Sequence, residues 1–151
     1  MKKRICLVGV GLLLVSVALL ACAPVQKTMI TKNNLSLVKG TWQGWTTFST
    51  VSAAPVLTTM KITNDTVPLT GSIILTNVPQ QVANILPSAA LPAGNNVTID
   101  FANGEISSDG TLVNHGGKNF IDLSFFAGEK PKLSGWFYYY GAKGTMELTK
   151  K

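Results

Sequence analysis

The chain has 151 residues, which suffices for one globular domain but not for two domains of ordinary size. It contains 13 basic and 7 acidic residues, and its only arginine is Arg4. The lysines are scattered along the chain, whereas a nucleic-acid site needs clustered basic residues interleaved with aromatic ones. The composition therefore excludes nucleic acid as the expected partner.

The N-terminus has the layout of an export signal. Lys2, Lys3 and Arg4 precede residues 5–20, which contain no charged side chain. A basic start followed by a short apolar run is typical of a secretory signal, and this run is shorter than the roughly 20 residues that span a bilayer. Removal of the three basic residues leaves ten basic against seven acidic side chains, so the exported chain has a net charge of about +3.

The apolar run ends in Leu19-Leu20-Ala21-Cys22. These residues resemble the lipobox of bacterial lipoproteins, in which a small residue precedes the cleavage point and the cysteine accepts lipid. The resemblance implies a signal peptide at residues 1–21 and a lipoprotein that is held to a membrane of the cell envelope through acylated Cys22. Two or more acyl chains on one residue give stable anchoring, whereas one chain binds only marginally.

The residues around this cysteine bear on location and on stability. Ala23 follows Cys22, where aspartate would favour the inner membrane, so the resemblance implies the periplasmic face of the outer membrane in a Gram-negative cell. The only other cysteine, Cys6, lies in the signal peptide. The folded domain therefore has no disulfide and must be stabilised by its hydrophobic core.

Residues 22–38 are predicted to comprise the lipidated cysteine and a flexible tether, because Pro, Gln, Thr, Lys and Asn dilute the few apolar side chains. A short strand or helix at residues 35–38 is a further option. Extended, some 16 residues reach about 50 Å, which would hold the folded domain clear of the lipid surface. That domain is predicted at residues 39–151.

From Gly40 onward the sequence is rich in Thr, Val, Ile and aromatic residues in short alternating runs, separated by Gly, Pro, Asn and Asp. Asp109-Gly110 is a hairpin signal between two of these runs. About eight strands joined by tight turns predict an all-β fold, a single small antiparallel barrel. A β-sandwich is the alternative, although the Cys…Trp…Cys frame of immunoglobulin domains is missing. The predicted strand segments are residues 41–50, 56–63, 69–77, 97–101, 104–108, 111–114, 119–126, 133–140 and 144–149.

Residues 77–96 interrupt this rhythm with three prolines and several alanines. Val82, Ala83, Ile85 and Leu86 are predicted to form one or two helical turns within it. A connection of this length in a small domain is usually functional or disordered, and its apolar content suggests that it packs over one mouth of the barrel.

The first strand opens with Gly40-Thr41-Trp42, and glycines stand near the start of two later strands, in Leu69-Thr70-Gly71-Ser72 and Leu133-Ser134-Gly135-Trp136. This pattern resembles the calycin superfamily, which includes the lipocalins and avidins. The resemblance implies that the tryptophan plugs the closed end of a barrel and that the glycines permit close packing there. The arginine that packs over this tryptophan in lipocalins is missing from the exported chain, and no ligand site can be carried over. The resemblance therefore concerns the fold alone.

Few residues offer catalytic or metal-binding chemistry. His115 is the only histidine, and it lies in a predicted hairpin loop, where an exposed turn residue is the ordinary role. With one histidine and no free cysteine, only an oxygen-ligand metal site remains open, and the scattered carboxylates have no EF-hand-like spacing. No nucleotide-binding or nucleophile motif is present. We therefore expect no catalytic residue, no metal, no cofactor and no enzymatic activity. A hydrolase that acts through His115 is the weakest alternative.

Aromatic side chains are concentrated in the strand predicted at 133–140. Phe137 and Tyr139 share one face with Leu133, and we expect them to line the barrel or its base together with Trp42. Trp136, Tyr138 and Tyr140 occupy the opposite face. That second face is either covered by the tether or by the connection at 77–96, or it is an interaction surface, because exposed Trp and Tyr patches mark interfaces.

Two functional hypotheses follow for a membrane-anchored envelope lipoprotein that is not an enzyme. The first is that the barrel binds a small apolar ligand. The second is that the protein is an interaction or inhibitor module of the cell envelope, which binds an envelope protein through the aromatic face or through loops.

Overall fold

The computed structural model describes residues 26–86, 95–116 and 119–151. Cys22 and the predicted lipobox and signal peptide lie outside these residues. Eight strands form one closed antiparallel barrel in which each strand pairs with the next and the last pairs with the first. Within the described residues, no helix has the length and apolar content to cross a bilayer. The strands are β1 (Gly40–Phe48), β2 (Val56–Ile62), β3 (Leu69–Thr76), β4 (Val97–Ile106), β5 (Leu112–Gly116), β6 (Asn119–Phe126), β7 (Lys132–Tyr139) and β8 (Ala142–Lys150).

Alternation along the strands builds the core. In β6, Ile121, Leu123 and Phe125 point inward and are buried, while Asp122 between them is exposed. The same period of two recurs in β2 and β8, so that the apolar face of every strand meets the others at the barrel axis. The prediction of an all-β fold with a single antiparallel barrel of about eight strands is confirmed, and the pairing of β8 with β1 distinguishes it from a sandwich.

Strand β4 corrects one prediction, because the segments at 97–101 and 104–108 form a single strand that ends at Ile106. Its register against β3 pairs Leu69 with Gly104 but Gly71 with Phe101, so three steps on β4 face two steps on β3. This is a β-bulge, which inserts one residue and shifts the inward and outward alternation. The shifted alternation is why the sequence pattern suggested two strands.

The pairing of β4 with β5 is short. Among the described residues, only Glu105 with Val113 and Ile106 with Leu112 are in register. The neighbouring pair β5 and β6 is matched along all of β5, from Leu112 to Gly116. The barrel is therefore held together less extensively at the seam between β4 and β5 than elsewhere.

Three inward-facing glycines bring neighbouring strands unusually close. A Cβ atom placed on Gly44, Gly71 or Gly135 would lie 2.0 Å from a backbone carbonyl oxygen of the adjacent strand. No larger residue fits without a shift of the backbone. Glycines at such positions let strands bend sharply enough to close a small barrel.

Residues 26–38, which the sequence assigns to the flexible tether, are packed against the barrel. Thr28 donates its backbone N–H to the carbonyl of Phe125 at 2.8 Å, and Ile30 donates to Gly110 at 3.2 Å. Ile30 is buried, as are two apolar residues of the 3-10 turn region that follows, Leu35 and Val38. This segment lies across the end of the barrel where β1 begins, which we call the base. The opposite end, where β7 turns into β8, is the mouth.

Polar contacts also fix the N-terminal segment. Lys27 Nζ lies 2.7 Å from Asp109 Oδ2 and 2.9 Å from Thr111 Oγ1. The hydrogen bond from Lys27, with others from Ser107 and Thr111, holds the pKa of the Asp109 carboxyl well below its ordinary value. The turn that carries Asp109 and Gly110, predicted as a hairpin turn, thereby also holds the N-terminal segment to the barrel.

Trp42 lies at the centre of the base and is completely buried. Its indole Nε1 donates to the carbonyl of Val38 at 2.7 Å, and its ring packs edge-on against Phe125. From the last strand, Lys150 reaches over the ring with Nζ 5.4 Å from the centroid and donates to the carbonyl of Leu37 at 2.7 Å. A tryptophan, a capping lysine and the N-terminal segment therefore close the base together.

Candidate functional site

The three residues predicted to line the barrel or its base, Trp42, Phe137 and Tyr139, are all buried. Phe137 packs edge-on against Phe48 with ring centroids 6.1 Å apart, and it stacks on Tyr139 at 6.3 Å. Burial raises the pKa of the Tyr139 phenol, and the nearby Tyr140 adds to the effect. The rings of Phe48, Phe137 and Tyr139 therefore occupy the interior at the mouth end of the barrel, whereas Trp42 lies at the base.

Below these rings the interior is equally full. Apart from Ile106, the other inward apolar side chains of the strands are at most 6% exposed, as expected of a closely packed interior rather than of the lining of an open ligand cavity. The barrel interior among the described residues is thus a packed core. The largest of these enclosed side chains are Met60, Ile62, Leu69, Ile73, Leu75, Leu112, Leu123, Leu133 and Met146.

Polar side chains also face inward. Thr46 and Thr58 are fully buried and hydrogen-bond to each other at 2.7 Å, and two asparagines lie near the mouth. Asn114 on β5 is buried, and Asn119 follows on β6, opposite Tyr139 of β7. The side-chain oxygen of Asn119 is buried and has no hydrogen-bond partner among the described residues. A buried acceptor without a partner is costly, so the space beside Asn119 at the mouth would suit a hydrogen-bond donor.

The outward face of β7 carries the predicted aromatic residues. Trp136 is 55% exposed and Tyr138 is half-buried. Tyr140, by contrast, leaves the row, because it lies in the turn to β8 with a φ of 48°, followed by Gly141 at 98°. Positive φ at both central residues is typical of a type I′ hairpin, and it turns the Tyr140 ring edge-on against Tyr139.

Two neighbours extend this face across the barrel. Phe120 on β6 is opposite Tyr138, and His115 on β5 is opposite Phe120, with ring centroids 5.6 Å and 5.5 Å apart. On the other side, Lys143 of β8 places Nζ 5.1 Å from the ring of Trp136. The sequence pattern did not identify these partners, since cross-strand register cannot be read from one strand.

A second exposed tryptophan lies on the far side of β8. Trp45 on β1 is 55% exposed and pairs with Glu147, while Trp136 pairs with Thr145, two residues away on the same strand. Beside Trp45 is a groove of about 660 Å³ on the outside of the barrel. We call the outward face of β6, β7, β8 and β1, with Phe120, Trp136 and Trp45, the aromatic wall.

The other side of the barrel is different. The outward positions of β2, β3 and β4 are mainly hydroxyl and charged side chains, and Ile74 is the one large apolar residue exposed there among the described residues. We call this face the polar wall. It includes Thr59, Lys61, Thr70, Ser72, Thr98 and Asp100.

The catalytic alternatives gain no support from the geometry. His115 lies in a groove of about 150 Å³ with Asn103, Glu105 and Val113, and none of these residues is a nucleophile of the kind that a histidine base activates. In the part of the chain that the structure describes, no group of His, Cys, Asp or Glu could hold a metal ion.

The aromatic wall is therefore the distinctive outward face of the strands, and it surrounds a packed interior. Comparison of the chain with protein-family models, with curated proteins and with solved structures found no match.

Proposed function

We propose that the protein is a lipid-anchored, non-enzymatic module of the bacterial cell envelope that binds another envelope protein through its aromatic wall. The observation that carries this proposal is the exposure of Trp45 and Trp136, each 55% accessible, on a barrel whose core is already complete. The anchoring part of the proposal rests on the lipobox resemblance at Cys22.

The composition of the aromatic wall supports a protein partner. Trp, Tyr and Phe are enriched at the centres of protein interfaces, and a few such residues carry most of the binding energy. Charged groups lie between the two tryptophans on β8, where Lys143 is over the Trp136 ring and Glu147 forms an ion pair of 2.9 Å with Lys132 beside Trp45. Charges at such positions give an interface specificity for its partner.

A calycin-like assignment of the barrel belongs to the same proposal. In the resemblance stated above, an arginine packs over the tryptophan of the closed end, and this chain has none there. Lys150 supplies an equivalent contact, since its ammonium group lies over Trp42 and binds the carbonyl of Leu37. The missing arginine is therefore weaker evidence against the resemblance than the sequence suggests.

An apolar ligand inside the barrel is the second candidate. The one observation that bears on it is the unpartnered acceptor of Asn119 near the mouth, which would accept from a donor group on a mainly apolar ligand. The enclosed side chains below it favour the protein partner instead, because a ligand would have to displace packed side chains. Titration of the exported chain with fluorescent fatty acids tests this candidate, and saturable binding would revive it.

Site-specific photo-crosslinking in living cells tests the aromatic wall. A photoreactive phenylalanine replaces Phe120 or Tyr138 on the aromatic wall, and Thr59 or Ser72 on the polar wall provides the matched control. We expect protein adducts from the first pair only, and we expect their loss when Trp136→Ser is added.

Other outcomes of this experiment count against the proposal. Equal amounts of adduct from both walls would indicate non-specific collisions. Adducts with the mass of a glycan would show that the partner is a polysaccharide and not a protein. The anchor is tested separately, by mass spectrometry of the native protein. The proposal requires acyl chains on Cys22.

A further inference from the structure

Charge is unevenly distributed between the base of the barrel and its walls. Six lysines and three acidic residues lie in the segments that form the base, whereas the remaining described residues include three lysines and four acidic residues. The base segments are residues 26–39, 63–68, 107–111, 127–131 and 150–151. Their lysines are Lys27, Lys32, Lys39, Lys130, Lys150 and Lys151, and their acidic residues are Asp65, Asp109 and Glu129.

Ion pairs neutralise only part of this charge. Lys27 pairs with Asp109 at 2.7 Å, and Lys39 pairs with Asp65 at 3.3 Å. Among the described residues, Lys32, Lys130 and Lys151 form no ion pair. The base thus presents unpaired ammonium groups around its rim.

Apolar side chains project from the same end. Met29 in the N-terminal segment is 55% exposed, and Leu37 and Val67 are exposed to 40% and 39%. These three residues come from different segments, yet all lie at the base. A surface that combines lysines with a few exposed apolar side chains is suited to the boundary between lipid headgroups and acyl chains.

The length of chain between the anchor and the barrel limits how far this surface can lie from a membrane. The chain is fixed to the barrel from Lys27 onward, where the contacts of Thr28 with Phe125 begin. The five residue steps from Cys22 to Lys27 span at most about 18 Å when fully extended. The reach of about 50 Å that the sequence suggested for the whole tether is therefore not available.

We infer that the base of the barrel docks on the anionic phosphate headgroups of the membrane that holds the acyl chains, with Lys32, Lys130 and Lys151 as the main contacts. This inference rests on the proposed anchoring at Cys22. The short connection keeps the base close to the surface, where electrostatic attraction acts over roughly 10 Å. The aromatic wall then faces sideways along the membrane, and the mouth points away from it.

Lysine footprinting on vesicles tests this arrangement. The exported chain is attached through the thiol of Cys22, its only cysteine, to a maleimide lipid in vesicles, and the rate of lysine acetylation is followed by mass spectrometry. We expect Lys32, Lys130 and Lys151 to react several-fold more slowly on vesicles with phosphatidylglycerol than on neutral phosphatidylcholine. Lys143, which lies near the mouth, should react equally on both.

A variant with neutralised base lysines and one with a neutralised lysine near the mouth provide the comparison. Each lysine near an anionic surface strengthens binding by about fivefold, so neutralising Lys32, Lys130 and Lys151 to Gln should lower partition of the unanchored chain onto phosphatidylglycerol vesicles by roughly 100-fold at low salt. Neutralising Lys143 to Gln, at the mouth end of β8, should have little effect. Equal losses in both variants, or equal acetylation on both kinds of vesicle, would overturn the inference.

These results are independent of acylation in the cell, since the chemical anchor replaces it. An unmodified Cys22 in the native protein would defeat the proposed anchoring while leaving the vesicle measurements valid. Acylated Cys22 with no protection of the base lysines would retain the anchor and remove the docking surface.

Discussion

The inner and outer faces of the barrel are built by the same strands under different constraints. In β7 the inward residues Leu133 and Phe137 are fully enclosed, while their neighbour Trp136 is more than half exposed. Inward positions are determined by packing, whereas outward positions need only be compatible with a strand. Neither core packing nor strand formation therefore explains why one side of the barrel is aromatic and the other is polar.

The largest expected effect concerns the inward glycines. In Gly135→Ala the new Cβ would lie 2.0 Å from the carbonyl oxygen of Asp122, so the backbone of β6 or β7 must move. We expect a loss of about 3 kcal/mol or more in the free energy of unfolding, measured by denaturant titration. Gly128→Ala is the control, since nothing lies near that Cβ, and its change should stay within about 0.5 kcal/mol. Equal stability of the two variants would contradict the close approach of the strands.

Two tryptophans three residues apart on β1 give the next comparison. Trp42→Ala removes a fully buried ring and the hydrogen bond to Val38, and it should cost about 3–5 kcal/mol of unfolding free energy. Trp45→Ala removes a ring that is mostly in solvent, and it should cost less than about 1 kcal/mol. Thermal and denaturant unfolding of both variants would check this. A large loss in Trp45→Ala would make the aromatic wall a structural feature rather than an interaction surface.

Lys150 is a polar side chain that stabilises the core, because it covers the buried ring of Trp42 at the base. Lys150→Met loses the charge-assisted bond to Leu37 and the contact with the ring, and we expect a cost of about 1–2 kcal/mol. Lys151→Met should change the unfolding free energy by less than about 0.5 kcal/mol, since only its backbone N–H is bonded, to Thr41. Identical unfolding curves for the two variants would show that Lys150 does not stabilise the base.

Much of the fold could be predicted because a strand has a strict period of two. The alternation in β6 identified Ile121, Leu123 and Phe125 as core residues, and the aromatic run in β7 was divided correctly between its two faces up to Tyr139. The bulge in β4 was missed because one inserted residue reverses the alternation.

The rest depended on contacts between distant segments. Residues 26–38 have too few apolar side chains to indicate packing, yet Ile30, Leu35 and Val38 fill the base. The row from His115 through Phe120 to Tyr138 follows from register across three strands. A single-sequence pattern reports faces within a strand, but it does not report which strands are neighbours. Sequence also placed Tyr140 with the outward row, because a left-handed turn before Gly141 was not distinguished from a continuing strand.

The short pairing of β4 with β5 has a mechanical consequence. Among the described residues, these strands are paired at two positions, whereas every other pair of adjacent strands is paired along most of its length. Thermal fluctuations should separate the cylinder along this line first, so that backbone amides of β4 exchange with solvent deuterium sooner than those of β7 and β8. The earliest unfolding step would then be the separation of β4 from β5, which opens the closed barrel into a curved sheet.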